Sequence, residues 1–271
     1  MVKSIACIVA RTVSTRLPLK ILRDLSPNIS MIEFLIERLK TVSLIDSIYI
    51  CTSSEPVDDI LEDIAIRNNI KIYRGSANQV TERLLAVGEI EKADNIIRIT
   101  GDNPFTSIEY LNKQISFLNE NNLDYVRLVN VPIGSTAEVI KYDALKKCHE
   151  QMDPNVSEYL MLFLFEPREF KCGIIEVTKE DTSKYSLTVD TKEDLERTKL
   201  ILDQLSQFDF KKIQLVDILD LYENDSISLP AKSFAAQEMV KMPYDKMISF
   251  EEFSKDMNRR KKESLKISLN E

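Results

Sequence analysis

The chain has 271 residues, 44% of which are hydrophobic, and it carries a formal net charge of −8. This length allows one sizeable core, or a core with an appendage. The acidic balance argues against a general binder of nucleic acid or of anionic membranes, and no apolar run approaches the roughly 18 residues of a membrane span. Four scattered cysteines without CxxC spacing are typical of the reducing cytoplasm, where we expect the protein to act.

The first 130 residues alternate short apolar runs with segments of helical periodicity. The apolar runs predict strands at residues 4–9, 48–52, 70–73, 96–100 and 125–129, with helices between them. Repeated strand–helix units predict an α/β fold whose mostly parallel mixed sheet is flanked by helices.

After about residue 130 the alternation becomes less regular. The later apolar patterns predict strands at residues 137–141, 171–177 and 185–189, helices at 142–151, 190–207 and 213–222, and a helix or apolar cover at 156–165. Apolar spacing weakens over residues 226–271, which we interpret as a helical appendage ending in a frayed tail. The predicted units are therefore an α/β domain at residues 1–225 and this appendage.

A basic loop follows the first predicted strand. Arg11, Arg16 and Lys20 fall within ten residues, and the hydroxyls of Ser14 and Thr15 lie between them. Ligands of open α/β sheets bind at the carboxyl ends of the strands, and clustered cations there suit a polyphosphate. The alternative is a solvated loop that happens to carry charge.

Two aspartates also follow predicted strands. Asp102 lies in a glycine turn after the strand at 96–100, and Asp190 precedes a helix. Alone, Asp102 could form an Asx-turn and Asp190 an N-cap. Beside a basic loop, the pair suits Mg²⁺, which takes one or two carboxylates plus phosphate oxygens. Neither GxGxxG nor GxxxxGK[ST] occurs, so the fingerprints of Rossmann and P-loop sites are missing.

Five ordered motifs resemble those of the CMP-sugar synthetases, cytidylyltransferases that activate sugar acids. Residues 10–20 resemble the signature ARxGSxRLPxK, and the others lie at residues 73–83, 98–104, 134–139 and 187–195. The likeness covers about residues 4–225 and is greatest to the branch of spore-coat polysaccharide biosynthesis protein F. It implies a nucleotide-diphospho-sugar-transferase-like fold.

The resemblance also implies roles for individual residues. CTP phosphates would be held by Arg11, Ser14, Arg16 and Lys20, Mg²⁺ by Asp102 and Asp190, and the base or the sugar would lie near Arg74, Ser76 and Arg83. Since no suitable histidine is present, deprotonation of the acceptor falls to the metal or to a carboxylate such as Glu138. The expected partners are CTP and a small acidic sugar, and the chain could form a homodimer.

The sequence also departs from the family pattern. Val13 and Leu19 stand where glycine is preferred, and Asn155 replaces a histidine. We expect Val13 to keep a negative φ with its side chain turned into the core. We predict a Mg²⁺-dependent cytidylyltransferase that joins CTP to a sugar acid, for polysaccharide or glycan biosynthesis. The alternatives are a partner subunit that binds nucleotide without turnover, or a transferase using another nucleotide or an alditol phosphate.

Overall fold

The computed structural model describes residues 2–223 and 239–269. In chain order its strands are β1 (Ser4–Val9), β2 (Asp24–Ser26), β3 (Ile29–Ser30), β4 (Ser47–Ser53), β5 (Lys71–Gly75), β6 (Asn95–Thr100), β7 (Tyr125–Val129), β8 (Glu138–Lys141), β9 (Cys172–Glu176), β10 (Met239–Lys241), β11 (Met247–Ser249) and β12 (Leu265–Ser268). Eight of them form one sheet in the order β12-β9-β7-β8-β6-β1-β4-β5. Only β8 runs antiparallel to its neighbours in this sheet. The predicted mostly parallel, mixed α/β sheet is confirmed.

Helices cover both faces of the sheet. They are α1 (Met31–Leu39), α2 (Ile60–Arg67), α3 (Val80–Glu91), α4 (Leu111–Glu120), α5 (Tyr142–Gln151), α6 (Leu160–Leu164), α7 (Lys192–Gln204), α8 (Leu215–Glu223) and α9 (Phe250–Glu263). One core packs α1, α2, α4, α7 and α8 against the sheet, and the second core packs α3, α5 and α6 against its other face. No helix in the described ranges is long and apolar enough to cross a membrane.

The carboxyl ends of the parallel strands meet at one edge of the sheet, which we call the carboxyl edge. Each apolar strand is buried on both faces, as parallel sheets covered by helices require. The loop after β1 is held beside the turn after β6, because the Gly101 amide donates to the carbonyl of Val9 at 2.9 Å. A side chain at Gly101 would bring its Cβ within 3.0 Å of the Ala10 Cβ, so glycine permits this close approach.

Two elements of the second half differ from the sequence prediction. The segment predicted as a strand at residues 185–189 forms no strand of the sheet, and it pairs only through a bridge between Ile133 and Ser186. The described part of the appendage contains the predicted helix, α9. Its end is not frayed, since β12 pairs in parallel with β9 and Ile267 packs on the core. The predictions for residues 226–238 and 270–271 lie outside the described residues.

The C-terminal segment is attached by buried charge. Arg260 of α9 donates to the carbonyls of Leu162 and Phe165, both at 2.7 Å. Arg259 pairs with Glu166 at 2.7 Å. These contacts satisfy carbonyls at the carboxyl end of α6, where no further turn of helix supplies amide donors to them. Residues 250–263 therefore fix the position of α6 against the second face of the sheet.

Candidate active site

The loop after β1 is anchored by a buried carboxylate that our sequence analysis did not identify. Asp58, which is 1% exposed, accepts from the amide of Thr12 at 2.7 Å and from its hydroxyl at 2.6 Å. Ser53, at the end of β4, donates to the other oxygen of Asp58. The only signal in the sequence is the acidic pair Asp58-Asp59 after β4, and such a pair is equally typical of the solvated start of a helix. The anchor fixes the first turn of the basic loop.

Lys20 lies between the two predicted aspartates. Its Nζ donates to Asp102 Oδ2 at 2.6 Å and to Asp190 Oδ1 at 2.9 Å. Because both oxygens contact one nitrogen atom, the two carboxylates lie within the roughly 8 Å that would let them share an ion. Arg16 Nη2 lies 3.0 Å from the same oxygen of Asp190. The fold thus brings together residues that are up to 174 positions apart in the chain.

Asp190 is not the N-cap of the following helix. Thr191 is the N-cap of α7, and it forms a capping box with Asp194. The side chain of Asp190 therefore remains available to the cations of the loop. The backbone of Val189 donates to the carbonyl of Asp102 at 2.9 Å, which ties the two aspartate turns together. This geometry removes the capping alternative for Asp190.

The charges at this point are partly shielded from water. The Lys20 side chain is 14% exposed, whereas that of Arg16 is 60% exposed. Burial alone would lower the pKa of Lys20, but Asp102 and Asp190 outweigh burial and the pKa is raised. Lys20 is therefore an ammonium ion throughout the neutral pH range.

The donor set fits a hard divalent cation. Asp102 and Asp190 offer carboxylate oxygens. Their ion pairs with the Lys20 ammonium show that this position favours positive charge. Within the described ranges, no group of three or more His, Cys, Asp or Glu residues is arranged to hold a metal by itself. Mg²⁺ commonly binds through one or two carboxylates and completes its shell with phosphate oxygens and water. Asp102 and Asp190 are carboxylates that could contribute ligands to such a shell.

The remaining cations of the loop project from its surface. Arg11 is exposed and donates through Nη1 to the carbonyl of Ala77 at 3.1 Å. Ser14 Oγ accepts from the amide of Leu17 at 3.4 Å, a weak contact that a ligand could replace. Arg16 and Lys20 therefore approach the two aspartates, whereas Arg11 contacts the loop that follows β5.

The two positions where the family prefers glycine behave differently. Leu19 has φ 55° and ψ 30°, a left-handed conformation that glycine adopts without strain. Val13 does not have a positive φ. Its side chain is 65% exposed, so the expectation that it turns into the core is wrong. Only Leu19 therefore occupies a backbone conformation that calls for glycine.

Arg74, Ser76 and Arg83 are the residues predicted near the base or the sugar, and the two arginines contact other parts of the protein. Arg74 forms ion pairs of 2.6 Å with both Asp59 and Glu62, so its guanidinium holds the end of β5 against α2. Arg83 is 1% exposed beneath the loop, where Nη1 donates to the Cys51 carbonyl at 3.1 Å. Ser76 is half-buried in the loop that follows β5. The roles predicted for Arg74, Ser76 and Arg83 near the base or the sugar stay predictions.

Glu138 does not have the surroundings of a general base. It is 5% exposed, its Oε1 accepts from the Tyr125 hydroxyl at 2.6 Å, and its Oε2 accepts from Arg98. Burial alone would raise the pKa of Glu138, but Arg98 and Arg127 outweigh burial and lower it. A carboxylate with a lowered pKa and both oxygens occupied is a poor proton acceptor. These contacts do not favour the predicted role of Glu138 as a base, which stays a prediction.

Gly134 packs closely against the two turns that carry the aspartates. Gly134 has φ +88°, and a Cβ there would lie 2.6 Å from Thr188 Oγ1 and 2.8 Å from Asn103 Oδ1. Thr188 donates to Asn103 at 2.9 Å, so the turns before Asp190 and after Asp102 are linked directly. These contacts explain the glycine in the motif at residues 134–139. Sequence analysis gave Thr188 and Asn103 no role, because each reads as an ordinary turn residue.

Comparison with known proteins agrees with this geometry. The family model described as cytidylyltransferase matches residues 5–225. The spore coat polysaccharide biosynthesis protein SpsF of Bacillus subtilis is 32% identical over 220 residues, which cover 78% of this chain and 91% of that protein. The structure of a cytidylyltransferase from Leptospira borgpetersenii shares 28% identity and a TM-score of 0.76, covering 85% of this chain and 98% of the other.

A more distant structure shares the fold. It is a CMP:2-keto-3-deoxy-manno-octonic acid synthetase complexed with CTP, with 20% identity and a TM-score of 0.60, covering 75% of this chain and 99% of that one. The fold and the site thus define a nucleotidyltransferase. The chain belongs to the cytidylyltransferase family, and its activity is that of a CTP-utilising transferase.

Proposed function

We propose that the protein transfers the cytidylyl group of CTP to a hydroxyl of a sugar acid, with Mg²⁺, and releases pyrophosphate. The CMP-sugar would serve the synthesis of a surface polysaccharide or another glycan. The observation that carries this proposal is the position of Lys20 between Asp102 and Asp190, beside the exposed cations of the loop. The proposal is also supported by the relatives, which include a spore coat polysaccharide biosynthesis protein and a sugar-acid synthetase complexed with CTP.

The basic loop would bind the triphosphate. Guanidinium groups bind phosphate oxygens in pairs, and an ammonium group acts as a compact point charge. Arg11 and Arg16 are exposed and can therefore reach the outer phosphates without a change of the fold. Lys20 is more deeply placed and would stabilise charge that develops on the departing pyrophosphate.

Asp102 and Asp190 would hold Mg²⁺ together with phosphate oxygens. When bound, the metal neutralises phosphate charge and helps to stabilise the developing charge at the reacting phosphorus. Asp102 and Asp190 keep their carboxylates directed toward the loop through the link between their two turns. The acceptor hydroxyl would attack the α-phosphorus, and the bond to the β-phosphate oxygen would break in line.

Pyrophosphate release tests this proposal. The four common ribonucleoside triphosphates are each combined with sugar acids and with alditol phosphates, with Mg²⁺ or with a chelator. We expect release only with CTP, a sugar acid and the metal. Release with an alditol phosphate alone would change the acceptor class. Tight CTP binding without release from any acceptor would favour the partner-subunit alternative.

A further inference from the structure

Three charged side chains form a row across the middle of the sheet. Glu138 of β8 pairs in register with Arg98 of β6 on one side and with Arg127 of β7 on the other. Cross-strand neighbours point to the same face of a sheet. That face also carries Cys7 of β1 and Ile174 of β9, in register with the two arginines, and it is covered by α3, α5 and α6. We call Arg98, Glu138 and Arg127 the charged row.

The charged row has more positive than negative charge. Arg98 donates to Glu138, and the second oxygen of Glu138 is taken by Tyr125. Arg127 donates through Nε to the carbonyl of Leu128 at 3.2 Å, and no carboxylate of the described ranges forms an ion pair with it. One carboxylate thus faces two guanidinium groups. A partly desolvated excess charge is costly unless an anion compensates it.

The hydrogen bonds of the charged row are incomplete as well. Arg98 Nε is buried and has no hydrogen-bond partner, although the Arg98 side chain as a whole is 14% exposed. Arg127 is half-buried, with its guanidinium carbon 5.6 Å from the centre of the Phe165 ring. The guanidinium groups of Arg98 and Arg127 carry the paired donors that bind an anionic group of planar or tetrahedral geometry.

The charged row lies near the reaction site. Arg98 lies four positions before Asp102, a separation of at most about 13 Å in extended chain. Arg98 lies in β6 on the face of the second core, and Asp102 lies in the turn that follows β6 at the carboxyl edge. A sugar whose anionic group contacts the row would extend toward the phosphates at the loop.

We propose that Arg98 and Arg127 bind the anionic group of the acceptor, and that Glu138 and Tyr125 position Arg98 for this contact. The inference rests on the proposed function and names the acceptor subsite of the same crevice. The recognised chemistry is a carboxylate of a sugar acid or a phosphate of an alditol phosphate. We favour the carboxylate, because a single excess positive charge balances one carboxylate.

The test uses the full chain with Arg127→Gln, Arg98→Lys and Glu138→Gln. The control is Arg67→Gln, which removes an exposed cation of α2 that pairs with Glu33 of α1. Two quantities are measured for each protein: CTP affinity by calorimetry with Mg²⁺, and the acceptor KM from pyrophosphate release. The acceptors are 3-deoxy-manno-octulosonate and an alditol phosphate. Thermal unfolding of each variant verifies that it is folded.

We expect Arg127→Gln to raise the acceptor KM roughly 10–100-fold while CTP affinity is unchanged. Arg98→Lys keeps the charge but loses the fork geometry, and we expect a rise of KM with little change of kcat. Glu138→Gln should raise KM less, since Arg98 loses its positioning partner but not its charge. The control should match the wild type.

Three results would contradict the proposal. An unchanged acceptor KM in folded Arg127→Gln and Arg98→Lys, with normal CTP binding, overturns the inference and leaves the proposed function intact. CTP-saturated protein that turns over neither acceptor, and is not stabilised by either of them, overturns the inference as well. Wild-type protein that fails to bind CTP overturns the proposed function itself. A preference for the alditol phosphate retains the anion site and replaces the carboxylate with a phosphate.

Discussion

The basic loop and the charged row carry their charges in different ways. On the loop side, Arg11, Arg16 and Lys20 are close in sequence, extend from a turn, and meet carboxylates brought from distant strands. On the charged-row side, the arginines belong to separate strands and lie under helices. Loop charges can move toward a flexible polyphosphate, whereas strand charges are fixed in place. Under the proposed function, the loop would supply a high density of charge for the nucleotide, and the charged row would supply charges in fixed positions for the acceptor.

The largest loss of activity should follow from removing a proposed metal ligand. Asp102→Asn should lower kcat by roughly 10²–10³-fold or more, because a preorganised charge at the reacting phosphate is lost. The fold should not change, since the side chain of Asp102 contacts only Lys20 in hydrogen bonds or ion pairs of the described residues. Pyrophosphate release gives the rate, and circular dichroism gives the fold. A rate within a factor of two of the wild type would contradict the assignment.

The next largest effects should come from the loop cations. Lys20→Ala and Arg16→Ala should each cost about 1.5–3 kcal/mol of binding or transition-state stabilisation. The larger loss should follow from Lys20, since its side chain is the less exposed of the two. CTP titration and steady-state kinetics separate the two quantities. Unchanged affinity and rate in both variants would show that the loop is only a solvated turn.

A change in α9 should affect stability without affecting the nucleotide. Arg260→Leu removes donors from the carbonyls of Leu162 and Phe165 and should lower the free energy of unfolding by about 2–3 kcal/mol. CTP affinity should remain at the wild-type value, since the change lies behind α6. Chemical denaturation measures the first and calorimetry the second. The control is Arg168→Gln, whose 64% exposed side chain forms a surface ion pair, and we expect less than about 1 kcal/mol there.

The smallest predicted effects are changes in the free energy of unfolding at Leu19 and Val13, the two positions where the family prefers glycine. Leu19→Gly should raise the free energy of unfolding by about 0.5–1 kcal/mol, because it relieves a left-handed leucine. Val13→Gly should lower it by a similar amount, about 0.5–1 kcal/mol, because its φ is not positive and glycine only adds freedom to the unfolded chain. Urea denaturation of both variants measures the sign. The same sign at both positions would refute this explanation.

These contrasts explain what could be predicted from the sequence. The basic loop was recognisable because its cations lie within ten residues, and β1, β4, β5, β6 and β7 because each contains a short apolar run. The short strands β2 and β3 contain no such run and were not predicted. The charged row could not be recognised in the sequence, because Arg98 and Glu138 become neighbours only through the register of β6 and β8. The contacts that disfavour a base role for Glu138 depend on the same register and are not visible in the sequence.

Backbone conformation and long-range pairing set the other limits. Val13 and Leu19 look alike as replacements for glycine, and only the φ values distinguish them. The strand β12 has four residues, and its partner β9 lies about 90 positions earlier, so no local pattern predicts that it completes the sheet. Asp58 was missed because its hydrogen-bond partner, Thr12, belongs to a different segment of the chain.

The central claim is that the loop cations and the two aspartates form one site for CTP with a metal ion. Calorimetry of CTP with Mg²⁺, and again with a chelator, on wild type and Asp190→Asn tests it most directly. We expect the wild type to bind CTP more tightly with Mg²⁺ than with the chelator, and Asp190→Asn to lose that difference while remaining folded. Wild-type binding that is absent, or that is equal with and without the metal in both proteins, would contradict the account.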